Sequence, residues 1–362
     1  MKPKYYSLKN ILSKQAQYNV IIGERSNGKT FAVLKYAIDR YAKTGEQLAV
    51  VRRWQDDFTG KRGQTMFDAV VASGAVALAT DGQWDNVYYY GSRWYFCRYE
   101  DSKRITADTP FAYGFSVSSM EHDKSTAYPN VTTICFDEFI SRTGYLPDEF
   151  VLFMNVVSTI VRHRTNVTIF MLGNTVNKFC PYFTEMGLTH VKSMKPGTID
   201  LYRYGDSDLV VAVEYTQHNK AGKESDLYFA FDNPKLSMIT GGSWEIDIYP
   251  HCPVKYRPKD VMFTYYIDFS DTLLQCEIVS CDNNRFTFIH RKTTPIKDPD
   301  NSIIYTPDYH PGPNYKRKIT KPTSGIERKI AEFYMKDKIF YSDNEVGEVV
   351  RNYLIWCGKV AK

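Results

Sequence analysis

Nothing in this sequence stays apolar long enough to cross a bilayer, which excludes a spanning helix. The opening residues Met1-Lys2-Pro3-Lys4-Tyr5-Tyr6 also lack the apolar stretch of a signal peptide. Cysteines number seven in 362 residues, an odd count without paired spacing. That argues against a disulfide framework and for reduced thiols in a cytosol. Cys276 and Cys281 have no histidines at zinc-site spacing, so they read as core or surface thiols. A strong charge of either sign is missing too. The net charge of +5 permits a polyanionic partner without demanding one. Aromatic residues, by contrast, are plentiful at 15%, with 28 tyrosines. Tyrosine suits interfaces and base stacking, but most of it serves plain β-sheet surfaces. A hydrophobic content of 43% fits a soluble globular protein, and 362 residues make two domains the default.

The stretch around which the chain is organised is Gly23-Glu24-Arg25-Ser26-Asn27-Gly28-Lys29-Thr30. It fits the P-loop pattern G-x-x-x-x-G-K-[ST] at every fixed position. The glycines let the backbone curl until successive N–H groups face one phosphate. Lys29 reaches the β- and γ-phosphates of ATP, and the Thr30 hydroxyl is placed to hold Mg²⁺. An isolated match could be an ordinary glycine turn, so context decides. Upstream, Tyr18 to Ile22 is a short β-rich run; downstream, Phe31 to Ile38 carries apolar residues at helical spacing. Strand, glycine loop and helix in that order put phosphate at a helix N-terminus.

A second strand, Gln47 to Val51, ends in Arg52-Arg53-Trp54, with two cations at the edge where open α/β sheets bind ligands. Residues Phe58 to Thr80 read as helical, and two tyrosine-rich runs flanking Gly91-Ser92 signal a hairpin. The buried-type strand Val131 to Phe136 finishes in Asp137-Glu138, as a Walker B element does. Asp137 suits an Mg²⁺ ion near the phosphates, directly or through water. Glu138, one step on, suits the orientation and deprotonation of attacking water. A helix opens near Leu146-Pro147-Asp148-Glu149 and ends at Arg162-His163-Arg164. The next strand, Asn166 to Leu172, is tipped by Gly173-Asn174-Thr175, where Asn174 could sense a γ-phosphate.

Beyond Cys180 the pattern weakens. Residues 1–194 read as a P-loop ATPase domain, 195–249 as a linker or small subdomain, and 250–362 as a smaller α+β domain. In the last, Met262 to Phe269, Thr272 to Val279 and Arg285 to His290 form a meander, with Ile303 to Thr306 a candidate fourth strand. Ser324-Gly325-Ile326-Glu327 and Ser342-Asp343-Asn344-Glu345 are capping boxes. The order resembles an RNase H-like domain. The fold class is therefore α/β: a mainly parallel P-loop NTPase sheet, then an RNase H-like α+β unit.

The run Ser125 to Ile140 closely resembles the Walker B region of phi29-like phage DNA-packaging ATPases, and Gly45-Glu46-Gln47, Val51-Arg52-Arg53 and the P-loop are similar to the same proteins. The resemblance is clear from about Tyr18 to Phe183. It implies the additional-strand, catalytic-glutamate class, in which the strand tipped by Asn174 lies between the Walker A and Walker B strands. It also implies a homo-oligomeric ring, a pentamer in the family, that threads double-stranded DNA into a prohead. Such a ring docks on the portal and, in some members, on a structural RNA. It works in the host cytoplasm, transiently on the prohead and on no membrane. Arg162 matches the family's arginine finger, acting on a neighbour's ATP; Arg164 is a nearby second candidate, and Lys124 matches a basic interface residue. Gln55 departs from the lysine the family can carry. The C-terminal domain is implied to be a relic of a nuclease that no longer cuts. Asp268, Asp308 and Asp343 are its candidate acids, and Lys316, Arg317, Lys318 and Lys321 a candidate DNA contact. A helicase-like ring ATPase and a nucleotide-gated assembly protein are the rival readings. Glu138 argues against the latter, since a mere binder needs no water-orienting carboxylate.

Overall fold

The computed structural model describes residues 6–119, 126–141, 144–146, 148–175, 178–217, 249–252, 254–281 and 283–358. It contains two compact units, Met1–Glu245 and Ile246–Lys362.

The first unit is built on a ten-stranded sheet. In chain order its strands are β1 (Tyr18–Gly23), β2 (Gln47–Arg52), β3 (Asn86–Tyr90), β4 (Arg93–Glu100), β5 (Lys103–Thr106), β6 (Ala112–Ser116), β7 (Val131–Asp137), β8 (Thr168–Asn174), β9 (Thr198–Arg203) and β10 (Val210–Tyr215). They lie side by side as β3-β4-β6-β2-β7-β8-β1-β10-β9, with β5 on β4. The run from β6 to β10 is parallel throughout. All seven residues of β7 are buried, as a central parallel strand covered on both faces requires. Alternate residues feed two cores. Ile134, Phe136, Ile169 and Met171 pack on one side with Phe153 and Ile160. On the other side, Cys135, Phe170 and Leu172 pack with Val33, Leu34 and Ile38.

The last three of these belong to the Walker helix, Lys29–Thr44, which stops at Gly45 in the left-handed region. As the catalytic-glutamate class requires, β8 sits between the P-loop strand β1 and the Asp137 strand β7.

Two expectations change. Residues 195–249 read as a linker or small subdomain, yet β9 and β10 within that span complete the main sheet, with β10 parallel to β1 from Tyr18↔Val211 to Ile22↔Tyr215. The β1 partner of β10 lies almost 200 residues away, so local periodicity carries no trace of that pairing. Residues 58–80, expected as one helical stretch, form three short helices, Gly60–Thr65, Asp68–Ala72 and Ala75–Ala79. Gly74, at φ 75°, interrupts the last two.

The second unit carries β11 (Val261–Phe269), β12 (Thr272–Cys281), β13 (Asn284–Arg291), β14 (Ile304–Tyr305), β15 (Tyr315–Lys316) and β16 (Ile339–Tyr341), ordered β15-β14-β11-β12-β13-β16. The antiparallel meander β11–β13 comes first, and β14 then lies parallel to β11, as the RNase H-like reading expects. Helices Gly325–Met335 and Asn344–Gly358 follow. The first is capped by the Ser324 hydroxyl, which accepts from the Glu327 N–H.

Candidate nucleotide site

The loop between β1 and the Walker helix is fixed from several directions. Gly28 has φ 90°, a conformation that favours glycine. Gly23 is needed for a different reason: a Cβ there would lie 1.9 Å from the Thr216 hydroxyl oxygen. Asn27 pins the loop, donating from Nδ2 to Thr216 Oγ1 at 2.9 Å and accepting from the Lys29 N–H at 3.2 Å. From the N-terminal side, the Tyr6 N–H donates to the Asn27 carbonyl at 3.1 Å, and the Tyr6 hydroxyl donates to Glu214 Oε2 at 2.5 Å.

Lys29 is buried, and its ammonium donates to the Glu24 carbonyl at 2.5 Å, the Gly23 carbonyl at 3.4 Å and Asn174 Oδ1 at 3.3 Å. Burial pulls it from 10.5 down to about 8. Thr30 Oγ1 donates to Asp137 Oδ1 at 3.1 Å. These groups line a cavity of about 400 Å³ that also takes in Arg25, Ser26, Glu138 and Gly173. The P-loop, Asp137, Glu138 and Asn174 thus share one cavity at the C-terminal ends of β1, β7 and β8.

Glu138 stands just past β7 in the left-handed region, at φ 60°, uncommon for a side chain of that size. Its side chain is 64% exposed. Arg52, at the end of β2, reaches both acids: Nη2 lies 2.8 Å from Asp137 Oδ2 and Nη1 2.7 Å from Glu138 Oε2. Burial works against the charge on Arg52, and the two carboxylates more than offset it. Burial likewise pushes the Asp137 carboxyl up, against the pull of Arg52.

Arg53 does something else. Its guanidinium turns into the protein and grips the fully buried Glu149 carboxylate at 2.8 and 2.9 Å. It also donates to the carbonyls of Glu138 and Phe139, at 3.3 and 2.7 Å. Glu149 further accepts from the Tyr182 hydroxyl and the Leu146 N–H. In sequence Glu149 looks like an acid suited to a helix's first turn. Its work is to hold Arg53, and hence the backbone around Glu138; no local pattern announces that.

Arg162 caps helix Glu149–Val161 at φ 52°, exposed, with Nη2 donating to the Thr126 carbonyl at 3.1 Å. Nearby, Arg164 Nη1 donates to the carbonyl of Val131, the first residue of β7, at 2.7 Å. Asp137 is the last residue of that strand. Seven residues at about 3.3 Å each place these ends on the order of 20 Å apart. Both arginines therefore lie at the opposite edge of the sheet from the chain's own phosphate loop. Arg164 also donates to the carbonyls of Tyr128, Pro129 and Ile160, so its guanidinium serves the scaffold. Lys124 lies outside the described residues. Gln55 accepts from the hydroxyls of Ser116 and Ser119.

In the second unit, Asp308 and Asp271 add to the burial that raises Asp268 above its ordinary value. Asp343 is spoken for: its Oδ1 caps the last helix, accepting from the Val346 N–H at 2.9 Å. Part of the basic stretch is engaged within the second unit, while Arg317 and Lys321 stay exposed. Lys316 pairs with buried Glu327 at 3.3 Å, Arg317 donates to the Pro307 carbonyl, and Arg317 and Lys318 both lie over the Trp356 ring. Among the described residues no group of three or more His, Cys, Asp or Glu side chains is placed to hold a metal ion. Nor is any described helix long and apolar enough to cross a membrane.

A P-loop sheet with the Asn174 strand between the strands of the glycine loop and of Asp137 has the strand order of additional-strand P-loop proteins. The chain belongs to the family of Podovirus DNA encapsidation proteins (Gp16), which it matches over residues 1–84 and 99–238. It is 31% identical over 190 residues to the DNA packaging protein of Bacillus phage phi29, covering 52% of this chain and 51% of that one. The chain thus spans about half the length of the curated relatives it matches. Among solved structures, the Phi-28 gp11 DNA packaging motor superposes with a TM-score of 0.54 at 17% identity, over 100% of both chains. The bacteriophage Phi-29 viral genome packaging motor assembly gives 0.55 at 22% identity, over 96% of each chain. These two show that the fold is shared.

Proposed function

We propose that this chain is an ATP-driven motor subunit that moves double-stranded viral DNA into a prohead. The observation that carries the reading is the cavity joining Lys29, Thr30, Asp137, Glu138 and Asn174. Each chemical requirement of ATP hydrolysis has a candidate there. The loop N–H groups and Lys29 would hold the phosphates, and Asn174, already bonded to Lys29, would report the γ-phosphate. The buried hydroxyl–carboxylate pair of Thr30 and Asp137 fits Mg²⁺, and those two residues would hold it. Mg²⁺, when bound, neutralises charge on the phosphate oxygens. Glu138, exposed beyond the strand end, orients and deprotonates water.

Arg162 completes the set from a neighbouring chain. Its own phosphate loop lies across the sheet, so its cation can offset γ-phosphate charge only in trans, in a homo-oligomeric ring. The portal and a structural RNA are the docking partners this reading implies. The second unit binds and does not cut.

The test is mixing. Arg162→Ala and Glu138→Gln subunits, each inactive alone, should regain hydrolysis in mixed assemblies. Mixtures that assemble yet stay inactive would sink the trans role. Stimulation of hydrolysis by single strands but not by duplex DNA would favour the helicase-like alternative.

A further inference from the structure

The second unit has a groove that the motor reading leaves without a task. It lies between the sheet and helix Gly325–Met335 and encloses about 750 Å³, against about 400 Å³ around Lys29. Part of the helix is fastened to the sheet: Ile330 and Ala331 are buried, and the Tyr334 and Tyr265 hydroxyls share a hydrogen bond at 2.9 Å. Two residues from Tyr265 along β11, the same sheet face reaches Phe263, and there the groove opens, floored by Phe263 and by Ile278 opposite it on β12. The ladder slips at this point, with Val261 opposite Val279 but Phe263 opposite Ile278. The extra residue, Met262, stands in the lining 61% exposed. On the helix side, Ile326, Lys329, Phe333 and Lys336 follow one another at spacings of three and four. They form a single stripe on the order of 15 Å long. The charge of the lining is one-sided. Arg285, Lys329, Lys336 and Lys338 surround the apolar floor, and among the described residues Glu332 is the one acid there. Lys336 bonds that acid, while Arg285 and Lys329 enter no ion pair among the described residues.

We infer that this groove docks an acidic amphipathic helix of a partner protein. Its apolar side chains would meet Met262, Phe263, Ile278, Ile326 and Phe333, and its carboxylates the four cations. Charge complementarity selects the acidic partner, and the floor selects a protein. A nucleic-acid backbone would satisfy the cations and leave the apolar side chains facing water. A small amphiphile has one head group, whereas the cations are spread along the stripe and across to Arg285. Methionine in the lining suits such a partner, because its unbranched side chain adapts to the apolar contour laid against it. The inference goes beyond the motor reading and does not depend on hydrolysis.

The experiment uses the full chain and three fluorescent synthetic peptides. One is a glutamate-rich helix with leucines at helical spacing; the second has lysine for each glutamate, and the third alanine for each leucine. The first should bind at least about tenfold tighter than either of the others. Lys329→Glu with Lys338→Glu should weaken its binding by about tenfold or more and strengthen that of the lysine peptide, with ATP hydrolysis unchanged. Met262→Ala with Ile326→Ala should weaken it by about tenfold as well. If either double variant does not fold, judged by its melting curve, Met262→Ala alone carries the test. No binding of the first peptide, equal binding of all three, or binding indifferent to these changes overturns the inference. Displacement of the first peptide by equal amounts of duplex DNA, single-stranded RNA or laurate also overturns it, and would make the groove a phosphate or amphiphile site.

Discussion

Two groups of acids sit near strand ends in this protein, one in each unit, and their surroundings differ. Asp137 and Glu138 meet Arg52 at 2.8 and 2.7 Å, with Thr30 bonded to Asp137 and Lys29 nearby. Asp268 has mainly other acids for company, Asp308 and Asp271, and its carboxyl rises above its ordinary value from burial and their charge. The first group has cations fixed beside it before any ligand arrives, and they work against the burial that raises Asp137. The second has other acids as its main charged neighbours. Acids alone do not make a site; their fixed counter-charges do.

The comparison breaks most visibly in the first unit. Lys29→Ala should abolish ATP binding in calorimetry. Glu138→Gln should leave binding intact and slow hydrolysis by at least about a hundredfold, because the proposed role of Glu138 lies in the chemical step alone. Near-normal turnover in the second variant would remove Glu138 from the catalytic role.

Arg53→Ala separates scaffold from chemistry. It leaves Glu149, side chain 0% exposed, without its cation, which in a buried pair costs about 3–5 kcal/mol. Denaturant melts should show that loss. A stable Arg53→Ala protein would mean that Glu149 does not brace Glu138.

A smaller effect comes from pH. Phosphate favours the Lys29 ammonium, whereas burial in the apoprotein pulls it from 10.5 to about 8. Below about 8 Lys29 is charged before binding; above it, binding must take up a proton. ATP affinity should therefore fall as pH rises through 8, by up to about tenfold per unit. Calorimetry in buffers of different ionisation enthalpy would register the proton. An affinity that stays flat well above that pH would show that Lys29 remains charged without nucleotide.

Smallest of all is Asp268→Asn. A carboxyl whose ordinary value is raised on folding weakens the fold above its unfolded value, and this side chain is partly exposed. The variant should melt slightly higher near neutral pH, and the gain should vanish where aspartate is already protonated. Metal-dependent plasmid cleavage by the wild type that disappears in Asp268→Asn would instead make the second unit a nuclease.

The sequence discloses the features whose ingredients are contiguous. The loop Gly23 to Thr30 and the strand ending in Asp137-Glu138 carry their own context on either side, and so does the strand tipped by Asn174. The meander of the second unit is legible because tight turns join its strands. What stays hidden is long-range. Arg52 and Arg53 look alike on paper, but successive residues at a strand end point to opposite faces. One therefore meets Asp137 and Glu138, and the other Glu149, 96 residues away. Strands β9 and β10 are short and follow a weak stretch, so nothing local tells that β10 lies against β1. Lys316 to Lys321 read as a candidate DNA contact or a solvated loop, and only the fold shows Lys316 paired with Glu327 and Arg317 and Lys318 over Trp356.

The bond between Asn27 and Thr216 makes the loop and the edge of the sheet one unit. Five register pairs hold β10 against β1, and Thr216, the residue after β10, sets its hydroxyl against Gly23 and accepts from Asn27. Shortening Thr216 would therefore loosen the turn from Gly23 to Lys29 from a position 189 residues further along the chain.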